Sequence, residues 1–218
     1  MPVQLEIEFV SDVACPWCAI GLASLEDALQ RTAGAITATI RLQPFELNPG
    51  MGPGGENIDS FIGARYGADP AQLAAMRENV RARAAKVGFA FNQNSESRIY
   101  NTFDAHRLLH WARDSGMQLA LKRALFKANF SDNADVSNHD VLVAAATVAG
   151  LAADEAREML AAGHYAAEVR EAEQLWQARG IHAVPGVVIN GNWLISGGQP
   201  PEVFEKTLRE IARKAFEY

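Results

Sequence analysis

The chain has 218 residues, 49% of them hydrophobic and 21% charged, which is typical of a folded globular protein with a sizeable core. Its formal net charge is −6, and no basic stripe is present to neutralise a phosphate backbone, which argues against nucleic-acid binding. No apolar run approaches the roughly 18 to 20 residues that span a bilayer. Residues 1–10 lack the basic and apolar regions of a secretory signal, so we predict a cytoplasmic protein without membrane partners.

The N-terminal segment predicts a β-α-β unit. Residues 3–10 alternate between apolar and polar, with Val3, Leu5, Ile7 and Phe9 on one face, as a strand does. Residues 17–31 carry apolar side chains at helical spacing, and alternation returns from residue 36 to residue 42. This order is consistent with two parallel strands joined by a helical crossover.

A long helical block follows, because strand signals vanish between Asn57 and Gly180. Asp69 before Pro70 predicts an N-cap, and Ser137 with Asp140 predicts a capping box at a later helix. The segments with helical patterns are 69–88, 100–116, 117–130, 137–150, 152–163 and 164–179.

Strand signals return near the C-terminus. Asn190-Gly191 separates two apolar runs within residues 186–196, and this dipeptide is a strong hairpin signal. Residues 199–216 then predict an amphipathic helix with prolines at its start.

The only two cysteines of the chain, Cys15 and Cys18, lie three residues apart in the sequence C-P-W-C. Cys15 falls at the predicted strand-to-helix junction, where free backbone N–H groups and the helix dipole favour negative charge. Pro16 suits the first helical turn. Cys18 lies one turn further in and should be shielded beneath Cys15. This asymmetry favours a redox pair in which one thiolate attacks a disulfide and the second thiol resolves the mixed disulfide.

Two other interpretations of the cysteine pair compete with the redox interpretation. A pair used only for packing does not explain the proline between the two cysteines. Half of a zinc site requires two further ligands, which His106 and His110 on one predicted helix could in principle supply. Ile99 and Phe103 fall on the same predicted face as the two histidines, so packing of this face explains the histidines more simply than metal binding. The redox interpretation is favoured, and no metal site is predicted.

The chain resembles the DsbA branch of the thioredoxin superfamily, and within it the FrnE-like group. The residues that carry the resemblance are SDVACPWCAIG (11–21), LQPFELNP (42–49), NTFDAHRLLHWA (101–112), LFKANF (125–130), GIHAVPGVVING (180–191) and SGGQP (196–200). It implies an α/β, thioredoxin-like fold with a large all-helical domain inserted between the second and third strands. The expected boundaries are 1–56 and 165–218 for the thioredoxin-like domain and 57–164 for the insertion.

The resemblance also implies a protein thiol–disulfide oxidoreductase, acting as reductase or isomerase. Cys15 would be the nucleophile, Cys18 the resolving thiol and Pro185 a cis-proline beside them. Glu8 is a candidate for the buried first-strand carboxylate that helps proton transfer at such sites. The residues expected to bind substrate are Pro16, Trp17, Asn101, His106 and Val184. Disulfide-containing proteins would be the substrates. Glutathione or a thioredoxin-type protein would be the reductant, and no metal or organic cofactor is expected.

The sequence also allows two functions other than that of a protein thiol–disulfide oxidoreductase. The hydroxychromene-carboxylate isomerases share the DsbA-like fold and use bound glutathione, although a serine commonly replaces the nucleophilic cysteine, and both cysteines are present here. A chaperone-like binder of unfolded chains would use the cleft alone and would not need the thiols. The fold by itself does not decide among these functions.

Overall fold

The computed structural model describes residues 2–214 of the chain. Within these residues the strands are β1 (Val3–Ser11), β2 (Ile36–Pro44), β3 (Glu56–Asn57), β4 (Arg98–Ile99), β5 (Gly186–Ile189) and β6 (Trp193–Ser196). The helices are α1 (Pro16–Arg31), α2 (Ile58–Tyr66), α3 (Pro70–Lys86), α4 (Phe103–Trp111), α5 (Gln118–Phe126), α6 (His139–Val148), α7 (Ala153–Ala161), α8 (Ala166–Ala178) and α9 (Pro201–Lys214). A π-helical turn, Lys127–Ser131, directly follows α5.

The main sheet has four strands in the order β2-β1-β5-β6. β1 runs parallel to β2, from the pair Val3 and Ile36 to the pair Ser11 and Pro44, and antiparallel to β5. Helices α2 to α8 all lie between β2 and β5 in the chain, and therefore between the second and third strands of this sheet. This is the α/β fold with a helical insertion that the resemblance implies, and the fold prediction is confirmed.

The core forms where α1 and α9 cover one face of the sheet. Leu5, Ile7 and Phe9 on β1 are at most 1% exposed, as their alternation predicts. One buried cluster continues from these residues through α1 and α9 into helices of the insertion, including Leu121 and Leu142. The division of the chain into domains at residues 57 and 165 stays a prediction.

The predicted hairpin is present, and its turn anchors β5 to β1. Asn190 (φ 49°) and Gly191 (φ 71°) both have positive φ, as a type I′ turn requires. The Asn190 side-chain oxygen accepts a hydrogen bond from the Glu6 backbone N–H at 2.9 Å, and the Asn190 N–H donates to the Glu6 carbonyl at 2.8 Å.

Local details differ from the sequence predictions at the cap of α6 and at a short ribbon inside the insertion. Asp69 caps α3 as predicted, but Asn138 rather than Ser137 caps α6, because the Ser137 hydroxyl is hydrogen-bonded to Asp135. β3 and β4 form a two-residue ribbon inside the insertion, which is too short to produce a periodic pattern. Residues 215 and 216 of the predicted C-terminal helix lie outside the described residues. Across residues 2–214, the helices all fall short of the length and apolar character that crossing a membrane would need.

Candidate active site

The cysteine pair lies at the start of α1, shortly after the end of β1. Cys15 is the N-cap of α1 in an extended conformation (φ −98°, ψ 111°), and Pro16 begins the helix. The Cys18 N–H donates to the Cys15 carbonyl at 3.0 Å, which sets the two residues one turn apart. Both thiols are free, and the exposed fractions are 4% for Cys15 and 0% for Cys18. The predicted asymmetry is therefore present, but it is smaller than expected.

The loop before β5 faces the nucleophile position. The Val184–Pro185 peptide bond is cis. The Cys15 Sγ–H donates to the Val184 carbonyl oxygen at 3.7 Å, so this loop and the start of α1 are in direct contact.

Two glycines allow close packing around the start of α1, Gly21 against the cis-proline and Gly198 against the Trp17 backbone. A Cβ atom at Gly21 would lie 3.1 Å from Pro185 Cγ, and one at Gly198 would lie 2.6 Å from the carbonyl oxygen of Trp17. The segment SGGQP therefore belongs to the site, because Gly198 lets the chain after β6 pack on the C-P-W-C backbone.

Gly198→Ala is expected to lower the free energy of unfolding by about 1–3 kcal/mol, because the added methyl group overlaps backbone that cannot move freely. Gly52→Ala is the matched control, since a Cβ atom there has no neighbour within 4 Å. Urea unfolding of both reduced variants measures the difference. Equal midpoints for the two variants would contradict the proposed packing.

A buried carboxylate, Asp12, lies between β1 and the cysteines. Its oxygens accept hydrogen bonds from the Leu47 N–H at 2.7 Å, the Ala14 N–H at 3.1 Å and the Thr102 hydroxyl at 2.7 Å. His106 Nε2 lies 3.4 Å from Asp12 Oδ1. Burial opposes ionisation, but the hydrogen bonds and the charge of His106 outweigh it. They hold the pKa of Asp12 below its ordinary 3.8.

A buried cation, Lys122, completes the interior of the site. Burial lowers the pKa of Lys122 to about 8, although Cys18, Asp12 and Cys15 favour its charged form. Burial and the neighbouring Cys15 sulfur raise the pKa of the Cys18 thiol well above its ordinary value, and Lys122 opposes that rise. The Lys122 ammonium also lies 5.0 Å from the ring centroid of Phe126.

The prediction that Glu8 is the buried carboxylate is wrong. Ile7 and Phe9 point into the core beside α1, so Glu8 points to the opposite face of the sheet. There it accepts a hydrogen bond from Gln43 at 2.6 Å and lies 3.7 Å from Arg41. The buried carboxylate near the cysteines is instead Asp12, which follows β1 and lies three residues before Cys15.

The residues predicted to bind substrate divide into two groups. Pro16 and Trp17 line the cleft at Cys15, and Val184 contacts the Cys15 thiol. Asn101 and His106 do not line the cleft. Asn101 accepts a hydrogen bond from Phe103 N–H at the start of α4, and His106 is buried against Asp12. Both residues therefore lie outside the cleft lining, and a contact of either one with substrate stays a prediction.

Sequence reasoning missed Asp12, Lys122 and Asn129. Lys122 stands on the apolar stripe of α5 with Leu121, Leu125 and Phe126, and a lysine on such a stripe was the signal that could have revealed it. Asn129 follows in the π-helical turn and donates a hydrogen bond to the Val13 carbonyl at 3.0 Å. In residues 2–214, no group of three or more histidine, cysteine or acidic residues is arranged to hold a metal ion.

A cleft of about 510 Å³ opens beside Cys15. Its walls come mainly from α2, α3 and the segment before β4, and Trp17 stands at its edge, 5.8 Å from the Arg83 guanidinium. Most of its lining is apolar. The apolar residues of its walls include Phe61, Ile62, Leu73, Met76, Phe91 and Ile99.

Two cysteines at the start of a helix, facing a cis-proline in the loop before the next sheet strand, are typical of a protein with the thioredoxin fold. The DSBA-like thioredoxin domain model matches residues 6–209, and the chain belongs to that family of thiol oxidoreductases. The family part of the sequence resemblance is thereby confirmed.

Solved structures agree with this assignment. A probable DsbA oxidoreductase from Streptomyces coelicolor is 36% identical and superposes with a TM-score of 0.88, covering 94% of this chain and 89% of its own. A 2-hydroxychromene-2-carboxylate isomerase (14% identical, TM-score 0.70, 97% and 98% covered) shares the fold alone. The same holds for the cytosolic disulfide reductase DsbM from Pseudomonas aeruginosa, solved with glutathione (18%, TM-score 0.65, 95% and 99% covered).

Proposed function

We propose that the protein is a cytoplasmic thiol–disulfide oxidoreductase that reduces or isomerises disulfides of protein substrates. The observation that carries this proposal is the placement of the two thiols. Cys15 caps α1 and lines an open cleft, while Cys18 is fully buried directly behind it. One thiol can therefore meet a substrate disulfide, and the other can meet only Cys15.

In the proposed reaction, the Cys15 thiolate attacks one sulfur of the substrate disulfide, and the other substrate sulfur leaves as a thiolate that takes up a proton. Cys18 then loses its proton and attacks Cys15 Sγ. This second exchange releases the remaining substrate sulfur as a thiol and forms the Cys15–Cys18 disulfide. The dithiol loses two electrons and the substrate disulfide gains them.

The second exchange depends on deprotonating a buried thiol. Burial raises the pKa of Cys18, whereas the positive charge of Lys122 lowers it. We infer that Lys122 is a positioning residue that stabilises the Cys18 thiolate during resolution. Asp12 and His106 lie beside it and hold a fixed, hydrogen-bonded charge at the end of β1.

Protein substrates would pair with the loop at Val184 and Pro185. A proline has no N–H, so this edge offers the Val184 carbonyl to an extended peptide once the Cys15 thiol no longer donates to it. Pro16 and Trp17 would contact the residues beside the substrate cysteine.

The oxidised enzyme needs an external thiol reductant, for which we propose glutathione or a thioredoxin-type protein. The DsbM structure with glutathione supports the first choice by fold alone. We propose that no metal or organic cofactor takes part, because the two sulfurs carry both electrons.

The reduction potential of the Cys15–Cys18 pair tests this function. The protein is equilibrated in glutathione buffers of graded composition, and free thiols are trapped and counted. A potential near that of thioredoxin, about −270 mV, would support a reductase, and one near about −180 mV or above would support an isomerase. Failure to form any disulfide would overturn the proposal. Turnover of hydroxychromene carboxylate with glutathione, without insulin reduction, would then support the isomerase alternative.

A further inference from the structure

The cleft and the cis-proline loop are neighbouring surfaces that meet at Cys15 but have different linings. Val184 and Pro185 are absent from the lining of the cleft, whose walls belong to α2, α3 and the segment before β4. A polypeptide paired with the Val184 carbonyl would therefore leave much of the cleft unfilled. The cleft volume of about 510 Å³ lies in the range of about 300–1,000 Å³ that is typical of small-molecule sites.

The charge of the cleft is opposite to that of the chain. The protein carries a net charge of −6, yet the lining includes the three arginines Arg65, Arg77 and Arg98 against one acidic residue, Asp59. Arg77 is paired with Asp59. Between residues 2 and 214, neither Arg65 nor Arg98 forms a salt bridge with any carboxylate.

Both unpaired guanidinium groups are held in place by neutral partners. Arg65 donates to the Asn48 side-chain oxygen at 2.9 Å and lies about 6 Å from the ring centroids of Phe61 (6.0 Å) and Tyr66 (5.9 Å). Arg98 donates to the carbonyl oxygens of Gly54 and Gly55. Fixed cations beside apolar walls are complementary to a ligand that has an apolar body and a negative charge.

We propose that the cleft binds low-molecular-weight disulfides that combine an apolar, preferably aromatic, body with a carboxylate, as a second substrate class beside proteins. This inference rests on the proposed function, because it assigns the same Cys15 and Cys18 as the reacting thiols. The apolar body packs among Phe61, Leu73 and Met76, and the carboxylate pairs with Arg65 or Arg98.

The reaction balances in the same way as the exchange with proteins. Cys15 Sγ bonds to one sulfur of the small disulfide, and the other sulfur leaves as a thiolate. Cys18 then displaces the bound half, so that one small disulfide yields two thiols and the enzyme holds the Cys15–Cys18 disulfide. Two molecules of a thiol reductant such as glutathione return the enzyme to the dithiol and become one disulfide.

The test uses single-turnover kinetics of the reduced full-length protein with three probes. The first probe, 5,5′-dithiobis(2-nitrobenzoate), is aromatic and carries carboxylates. The second, 4,4′-dithiodipyridine, is aromatic but has no carboxylate. The third, bis(2-hydroxyethyl) disulfide, has neither an aromatic ring nor a carboxylate. Each variant is compared with wild type on the same probe, so the intrinsic reactivity of each disulfide cancels.

Met76→Glu places a carboxylate on the cleft wall at a half-exposed position of α3, and Ala75→Glu places the same charge one residue away, outside the lining. We expect Met76→Glu to lower the rate constant for dithiobis(nitrobenzoate) relative to hydroxyethyl disulfide on the order of tenfold. Ala75→Glu should leave this ratio unchanged. Arg65→Gln should reduce the same ratio, Arg65→Lys should largely restore it, and added salt should weaken the preference.

Equal ratios in Met76→Glu and Ala75→Glu would overturn the proposal. A fall in insulin reduction by Met76→Glu as large as that with dithiobis(nitrobenzoate) would also overturn it, because the cleft would then receive polypeptide. If the wild type reduces hydroxyethyl disulfide but substitution of Arg65 or Met76 leaves the ratio of rate constants unchanged, this inference is refuted and the proposed function stands. A wild type that reacts with none of the probes removes both.

Discussion

Cys15→Ser is expected to abolish insulin reduction, and Cys18→Ser is expected to accumulate covalent mixed disulfides with substrate. Cys15 is the thiol that lines the cleft, so its loss leaves no sulfur that a substrate disulfide can reach. Without Cys18, the first exchange proceeds but the buried resolving thiol is missing. Insulin turnover measures the first effect, and mass spectrometry of the unreduced protein measures the second.

Cys18→Ala is the control for the trapping experiment. Cys18 is fully buried, and a serine hydroxyl there lacks a guaranteed partner, so Cys18→Ser could lose stability for a reason unrelated to resolution. If both variants accumulate mixed disulfides, the trapping results from the missing resolving thiol and not from a loss of stability caused by the serine hydroxyl. Wild-type turnover in Cys15→Ser would refute the mechanism. Suppression of aggregation that persists in Cys15→Ser would instead support a chaperone-like role of the cleft.

Lys122→Met is expected to slow release of the mixed disulfide about tenfold or more at pH 7, because the Cys18 thiolate loses its neighbouring positive charge. The same change is expected to raise the free energy of unfolding at pH 7 on the order of 1–3 kcal/mol, because a buried charge is replaced by an apolar side chain of similar length. A loss of resolving activity together with a gain in stability is an outcome that a merely structural lysine would not give.

The pH dependence follows from the depressed pKa of Lys122. The folded protein releases this proton near pH 8, whereas the unfolded chain holds it to about pH 10.5, so the unfolded state binds more protons between these values. Stability from this group therefore rises with pH across that window, and the rise is absent in Lys122→Met. The raised pKa of Cys18 makes stability fall with pH in both proteins. The measurement is therefore the difference between the free energies of unfolding of wild type and Lys122→Met at each pH.

Lys127→Met provides the matched control for both effects. Lys127 lies in the next turn, its side chain is 64% exposed, and its ion pair with Asp132 is at the surface. Such a pair contributes about 0–1 kcal/mol, so this variant should match wild type in resolution rate and nearly match it in stability. If the two lysine variants behaved alike, Lys122 would have no special role at the dithiol.

Local sequence patterns were sufficient for most of the secondary structure. Alternation over residues 3–10 predicted both β1 and its buried face, and Asn190-Gly191 predicted the turn between β5 and β6. These features depend on contacts between near neighbours, which leave a periodic pattern or a specific turn residue. The same alternation already placed Glu8 on the face opposite Phe9, and applying it would have excluded Glu8 from the site.

The sequence by itself determined the position of the C-P-W-C pair at the start of α1, and its family resemblance indicated Pro185 as the cis-proline. Only the tertiary structure showed that Asp12, His106 and Lys122 meet beneath the cysteines, and that α2 and α3 form an arginine-lined cleft beside Cys15. Asp12 follows β1, His106 lies on α4 and Lys122 lies on α5, and their approach is set by how these elements pack. Packing of distant segments leaves no short-range pattern in the chain, so it becomes visible only in the folded molecule.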